Sequence, residues 1–406
     1  MTPINISKEA IFKNSLIYTS SLNNRKNWNA WEMIRETRQG ALDEAMRLKL
    51  LGLNVECVSY REGNDFIVSD NGEGIQEKHF ILGISEKCEN AIGGFGEGLK
   101  MAMIVSQRLE LGFKVETAKQ TFVANTYQQN DLTLFKIDVY ELAQNMKGTK
   151  CIIQDYFLKF DSAFNERFLV DSKVKPIFSL TNYGEILAKE ANDTAKIYVK
   201  GIYVCDLKGA VFNYNLLRNG LLDEGRNIPN MWQIKDIIAD IIAEINDKSL
   251  MVEILKSFAL NTFERGISVY DFSFPEIVKD AFVDIYGKNA VLGTTPFNIR
   301  EATHRGAKVI TAFDASNTSG LLKVIKTDIQ FIREQQNETD IPIDEATLND
   351  TEKFNLSKCR EMADKIGDGQ KIIVCLMDSA KGKANLSDTT TPIKLHPSTL
   401  SKLSTC

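Results

Sequence analysis

Apolar positions in the N-terminal part of the chain switch between two periods. Across residues 20–50, Trp28, Trp31, Ile34, Leu42, Ala45 and Leu48 fall near one helical stripe, which predicts a long amphipathic helix. The runs NVECVSY and DFIVSD that follow read as short strands, EKHFILGIS as a short helix and EKCENAIGG as a loop. LKMAMIVSQRLEL returns to helical spacing. FKVETA, TFVANTY, LTLFKIDVY and TKCIIQDY then alternate as strands between polar turns.

Near residue 155 the pattern changes. AKIYVKGIYVCD and GAVFNYNL read as a hairpin, and MWQIKDIIADIIAEIND as a strongly amphipathic helix. Further on, helix and strand alternate in short α/β fashion through FPEIVKDAFVDIYG, NAVLGT, FNIREATHRGA, KVITAF and GLLKVIKTDIQFIREQ. A polar, acidic, proline-containing tract near 335–352 reads as a linker, followed by a helix (LSKCREMADKIG) and a strand (QKIIVCLMD). The final PIKLHPSTLSKLSTC resembles the start of an element more than a finished end, so a truncated C-terminus is the expectation. These shifts divide the chain into residues 1–155, an α+β part at 156–265, and an α/β region at 266–406.

Bulk composition narrows the class. Of 406 residues, 43% are hydrophobic and 25% charged, the balance of a soluble globular protein. No apolar run is long enough to span a membrane, and no secretory leader opens the chain. A net charge of −5 does not indicate nucleic acid as a partner. Seven scattered cysteines without a CxxC pair point to reduced thiols in a cytoplasmic setting, and the three distant histidines speak against a metal cluster.

Candidate chemistry concentrates in glycine-rich segments. In SDNGEGI, Asp70 ends a strand while Gly72 and Gly74 permit a turn pressed against a ligand; its carboxylate is placed to accept from an exocyclic amine such as that of adenine. The same letters also make a plain turn. In GGFGEGLK, Gly94, Gly96 and Gly98 lead into a helix whose free amides and dipole suit phosphate, with Lys87 and Lys100 alongside; either lysine reads equally as a surface residue. This is neither a P-loop nor a Rossmann fingerprint. Glu36, Gly40 and Asp43 share a helix face, which reads either as a site for polarising water or as a solvated acidic face. Gly148–Thr149 opens an apolar strand and places a hydroxyl where it can help fix Asp70.

Taken in order, ETRQG (36–40), DNGEG (70–74), GGFGEG (93–98) and GT (148–149) resemble the GHKL superfamily of gyrase B, Hsp90, MutL and histidine-kinase catalytic domains. The resemblance covers about residues 20–155 and implies a Bergerat α/β sandwich followed by a transducer-like α+β domain. It implies ATP as the ligand, Glu36 as general base and Asp70 as the adenine-reading acid, with Gly72 and Gly74 shaping its turn. It further implies Gly94, Gly96 and Gly98 as a lid on the phosphates, and Thr149 beside the base. One departure stands out: the family's magnesium-holding asparagine is Gly40 here, which removes the expected side-chain ligand for Mg2+. From the transducer-like part, Arg218 and Arg226 are basic residues that could sense a γ-phosphate, and Arg226 is the nominee.

RETRQGALDEA, IGGFGEGLKMA and the IYVKGIYV…FNYNL hairpin are similar to GHKL ATPases of bacteriophage and bacterial genomes, including the rapid-lysis-inhibition A type. The expectation is an ATP-binding switch with weak hydrolysis, nucleotide-dependent homodimerisation and an unidentified protein partner. Its rival is a non-hydrolysing scaffold with a degenerate metal site; a GHKL-type protein kinase is a third reading. No phosphoacceptor histidine helix and no acidic pattern of a DNA-cleavage domain is evident, which speaks against a histidine kinase and a type II topoisomerase.

Overall fold

The computed structural model describes residues 4, 6, 10–54, 56–81, 97–160, 167–172, 174–313, 315–339, 341–342, 344–366, 372–376, 393–395 and 400. The expected loop at 86–94 and most of the C-terminal stretch from 392 onward lie outside them. The chain divides into two compact units, Met1–Ile241 and Ile242–Cys406, and its architecture is α+β.

In the first unit, β1 (Ile11–Ser21), α1 (Ala30–Leu50), β2 (Cys57–Glu62), β3 (Asp65–Asp70), α2 (Gly98–Arg108), β4 (Gly112–Gln129) and β5 (Leu132–Gln154) follow one another. Strand β5 is the spine of an antiparallel sheet. It pairs with β4 along one edge, and with β1 and β3 along the other. Each of the paired runs expected between residues 113 and 156 is thus half of one long strand. The hairpin joining β4 to β5 turns on Asn130 and Asp131, both at positive φ, the two-residue geometry whose twist matches the flanking strands. Register shifts at Thr117–Ala118 and Ala118–Gln120 absorb the bend that splits each strand into its two apolar runs.

Helix α1 starts at Ala30, well after residue 20. Asn29 caps it: its side chain accepts from the Trp31 amide at 2.8 Å, while Glu32 accepts from the Asn29 amide at 2.8 Å. Residues 11–21 form β1, an edge strand with Ile11, Phe12 and Ile17 exposed, so its apolar and polar positions do not alternate as those of a buried strand do. Met33 and Ile34 of α1, Met103 of α2, and Phe66, Phe113 and Phe135 of the sheet share one core. Burying such side chains contributes about 1.5–3 kcal/mol each, which fixes both helices against the sheet.

After the short α3 (Tyr156–Lys159), a second sheet runs β6 (Pro176–Leu180), β7 (Gly184–Leu187), β10 (Asn213–Leu216), β8 (Ala195–Val199), β9 (Ile202–Leu207) in spatial order. The hairpin expected to join AKIYVKGIYVCD with GAVFNYNL is instead formed within the first run, as β8–β9 turning on Lys200 and Gly201 at φ 49° and 81°, while the second run supplies β10, which pairs antiparallel with β7. Strands β8 and β10 pair in parallel. Helix α4 (Met231–Ala243) spans the division between the units.

The second unit holds α5 (Lys248–Ala259), α6 (Pro275–Tyr286), β11 (Ala290–Leu292), α7 (Pro296–His304), β12 (Lys308–Ile310), α8 (Ala315–Val324) and α9 (Asp328–Thr339), with β11 and β12 parallel. Buried Asp328 opens α9 and accepts from the Thr294 amide and hydroxyl at 2.8 and 2.7 Å. Then come β13 (Ile341–Pro342), α10 (Asp350–Ile366), β14 (Ile372–Leu376) and β15 (Ile393–Leu395), so the polar tract at 335–352 carries the end of one helix and the start of another.

Candidate functional site

Helix α1 buries charge. Arg35, Glu36, Arg38, Gln39 and Asp43 are all less than a tenth exposed, where long ionised side chains are almost never found without partners. Glu36, Gly40 and Asp43, one face of α1, line a cavity of about 350 Å³ together with Asp70, Gly74, Gly98, Thr149 and Arg226. Segments distant in sequence therefore meet at one void, within the size range of small-molecule sites.

One end of the cavity is organised by backbone. Asp70 and Thr149 are directly paired across β3 and β5. Asp70 accepts from the Gly72 amide at 2.9 Å, which closes the turn. Gly74 has φ 86° and a Cβ there would strike the Thr117 hydroxyl; Gly148 has φ 78° and a Cβ there would overlap the Asp70 carbonyl oxygen and lie 2.7 Å from Asn71 Cα. These glycines are obligatory on both counts. Thr117 Oγ1 accepts from the Ile75 amide at 2.8 Å and donates to the Gly148 carbonyl at 3.1 Å, pinning the DNGEG turn to the start of the Gly148–Thr149 segment. Burial pushes the Asp70 carboxyl up to about 6, with nearby Glu44 adding to the rise and the Gly72 and Thr149 amides opposing it. A buried acceptor of this kind suits the amine edge of a flat heterocycle.

Above that turn, Arg47 donates to Glu44 at 2.8 and 3.0 Å and to Glu73 at 2.7 Å, while the Glu73 amide donates to Glu44 at 3.3 Å. All three residues line the cavity and tie α1 to the turn.

The opposite end is organised by ions. Arg226 donates from Nε to Glu36 Oε1 at 3.2 Å and from Nη2 to Oε2 at 3.3 Å, and Arg35 Nε donates to Oε1 at 3.1 Å. Burial alone would raise the Glu36 carboxyl; Arg226 and then Arg35 outweigh it and hold the group below the usual glutamate range. Gly98, the first residue of α2, is pressed against this carboxylate: a Cβ there would overlap Glu36 Oε2. The Arg35 guanidinium in turn sits over the Trp28 ring at 5.3 Å. Arg226 stands at φ 65° in a turn where its amide donates to the Asp223 carbonyl at 3.0 Å and the Asn227 amide donates to the Asp223 carboxylate at 2.8 Å.

Among the residues expected from sequence, Glu36, Asp70, Gly74, Gly98, Thr149 and Arg226 meet at the cavity; Gly72 stands beside it in the turn. Lys100 does not line it. Its ammonium is buried and donates to the carbonyls of Ile81 at 2.7 Å and His79 at 3.3 Å, anchoring α2, and burial pulls it below the usual lysine range. Arg218 lies over the Tyr183 ring at 4.2 Å. Lys87, Gly94 and Gly96 lie outside the described residues. Thr117, Arg35, Glu44 and Arg47 went unread; of these only Glu44–Arg47, at i and i+3, carries a local signal.

Gly40 offers no side-chain oxygen for Mg2+, and a Cβ there meets nothing within 4 Å; among the described residues no group of three His, Cys, Asp or Glu side chains could hold a metal by themselves. No helix among the described residues is long and apolar enough to cross a membrane.

No family model matches the chain, and no curated protein matches it. Among solved structures, the ATPase region of Saccharomyces cerevisiae topoisomerase II bound to ICRF-187 (dexrazoxane) is similar to it at 13% identity, over 57% of this chain and 71% of that one, with a TM-score of 0.33.

Proposed function

We propose that this chain is an ATP-binding switch of the GHKL type, with the purine at Asp70 and the phosphates toward α2 and Arg226. The observation that carries the reading is the meeting of Asp70, Thr149, Glu36 and the first residue of α2 around one cavity, although they come from separate segments of the chain. The glycines that press backbone against Asp70 support it, since they leave no role for a bulkier turn. The α2 N-terminus brings free amides to the phosphate side.

Hydrolysis in this reading is weak. Glu36 is the general base, yet both of its oxygens accept from guanidinium groups, which lowers its affinity for a proton. The same feature, together with Gly40, favours the second reading, a scaffold that binds nucleotide without turning it over. Nucleotide binding orders the site and drives association of two protomers, and an unidentified protein partner reads out that state.

Calorimetry with ATP, in the presence and absence of Mg2+, tests the core of the proposal. Saturable binding that is clearly weakened in Asp70→Asn supports it; no heat under either condition overturns it. Gel filtration with a non-hydrolysable ATP analogue tests association, where an unchanged monomer mass refutes that step.

A further inference from the structure

The geometry points to an internal competition: Glu36 occupies Arg226 as a stand-in for the terminal phosphate, and the ligand must displace it before Glu36 can act. This inference rests on the nucleotide reading above and concerns the regulation of the same site.

Both side chains line the cavity and both are buried, at 2% exposed for Glu36 and 9% for Arg226. Arg226 meets the carboxylate through a two-nitrogen fork, the same geometry with which a guanidinium grips a phosphoryl group. A terminal phosphate carries more negative charge than a carboxylate and presents the same paired acceptors, so it competes with Glu36 for the Arg226 fork.

The two arginines are not equivalent. Arg35 is adjacent to Glu36 on α1, engages only Oε1, and is held against Trp28. It stays with Glu36 whatever the ligand does. Arg226 reaches the carboxylate from a turn at φ 65°, a backbone region a non-glycine residue keeps only where its surroundings impose it. Here they are the Asp223–Asn227 hydrogen bonds and the Glu224–Arg25 pair at 3.1 Å. Transfer of Arg226 to a phosphate leaves Oε1 on Arg35 and frees Oε2, the oxygen beside Gly98 at the start of α2. Glu36 is thereby held inactive while Arg226 grips it, and transfer of Arg226 to a phosphate releases one carboxylate oxygen on the phosphate side.

The test is calorimetry on the full chain with a non-hydrolysable ATP analogue and with ADP, for wild type, Glu36→Gln, Arg226→Gln and the double variant. Removing the competitor predicts that Glu36→Gln binds the triphosphate analogue about tenfold tighter with ADP unchanged, and that the gain disappears when Arg226→Gln is also present. Arg226→Gln alone leaves a buried carboxylate with fewer partners; should it not fold, Arg226→Lys, which keeps the charge and loses the fork, takes its place. An affinity for the triphosphate that is unchanged or weaker in Glu36→Gln, or a gain shared equally by ADP, overturns the inference while leaving the nucleotide reading intact. Absence of binding in wild type and Glu36→Gln alike overturns both.

Discussion

The two ends of the cavity are built on different principles. At the Asp70 end, positions are set by backbone: paired strands, glycines that admit no Cβ, and a threonine bridging a turn amide to a strand carbonyl. At the Glu36 end they are set by charged side chains, one contributed from 190 residues away. A backbone-built end is rigid and has one arrangement. An ion-built end can exchange partners, because a guanidinium binds a carboxylate or a phosphate with the same fork. In the proposed function, recognition belongs to the first and response to the second.

The contrast breaks most readily at Gly148. Gly148→Ala forces a Cβ onto the backbone of Asp70 and Asn71 at a positive φ, and should destabilise the first unit by roughly 3 kcal/mol or more, measured by denaturant unfolding. A normal midpoint would show that this end is more plastic than its geometry implies.

Asp70→Asn comes next, and separates binding from stability. Nucleotide affinity should fall on the order of 10- to 100-fold at pH 8. The sign of the stability effect is opposite. The folded carboxyl, at about 6, lies above its ordinary 3.8, so its stabilising contribution is complete below the unfolded value and is lost as pH rises through the folded one. At pH 8 the charge is buried at a cost, and the asparagine variant should melt higher than wild type; near pH 4 that advantage should shrink. For wild type, nucleotide affinity should weaken as pH falls below about 6, as calorimetry across that range will show.

Thr117→Val removes the bridge between the Ile75 amide and the Gly148 carbonyl and should cost about 1–3 kcal/mol, readable as a lower Tm. Gly40→Asn sharpens the comparison at the ionic end with the smallest structural effect. A Cβ meets nothing there, so stability should change by no more than about 0.5 kcal/mol, while phosphate release with Mg2+ should rise. An unaltered rate would count against Gly40 as the cause of weak turnover.

The same division governs what could be read in advance. Asp70 with its glycines, and Gly148–Thr149 before an apolar strand, were legible because a turn's chemistry is written in adjacent residues. Strand β1 was not, since an edge strand with exposed apolar residues lacks the clean alternation of a buried one. The long strands β4 and β5 read as separate pieces because the bulge near Thr117–Gln120 interrupts their apolar period.

Lys100 shows the limit of local reading. Beside a glycine-rich helix start it suggests a phosphate contact, yet helix rotation buries it and its ammonium bonds the Ile81 and His79 carbonyls. Thr117 shows the converse, an unremarked strand residue that becomes a clamp once β4 passes beside the turn.

Local sequence thus determined the turns, the helix cap at Asn29, and the identity of the acid and glycines at the cavity, because these depend on dihedral preference and on neighbours a few residues apart. Tertiary structure alone decided that Arg226 would grip Glu36, that Arg35 would share it, and that Lys100 would point away. Those outcomes depend on which charges are brought together out of water, and no short window of sequence contains both partners.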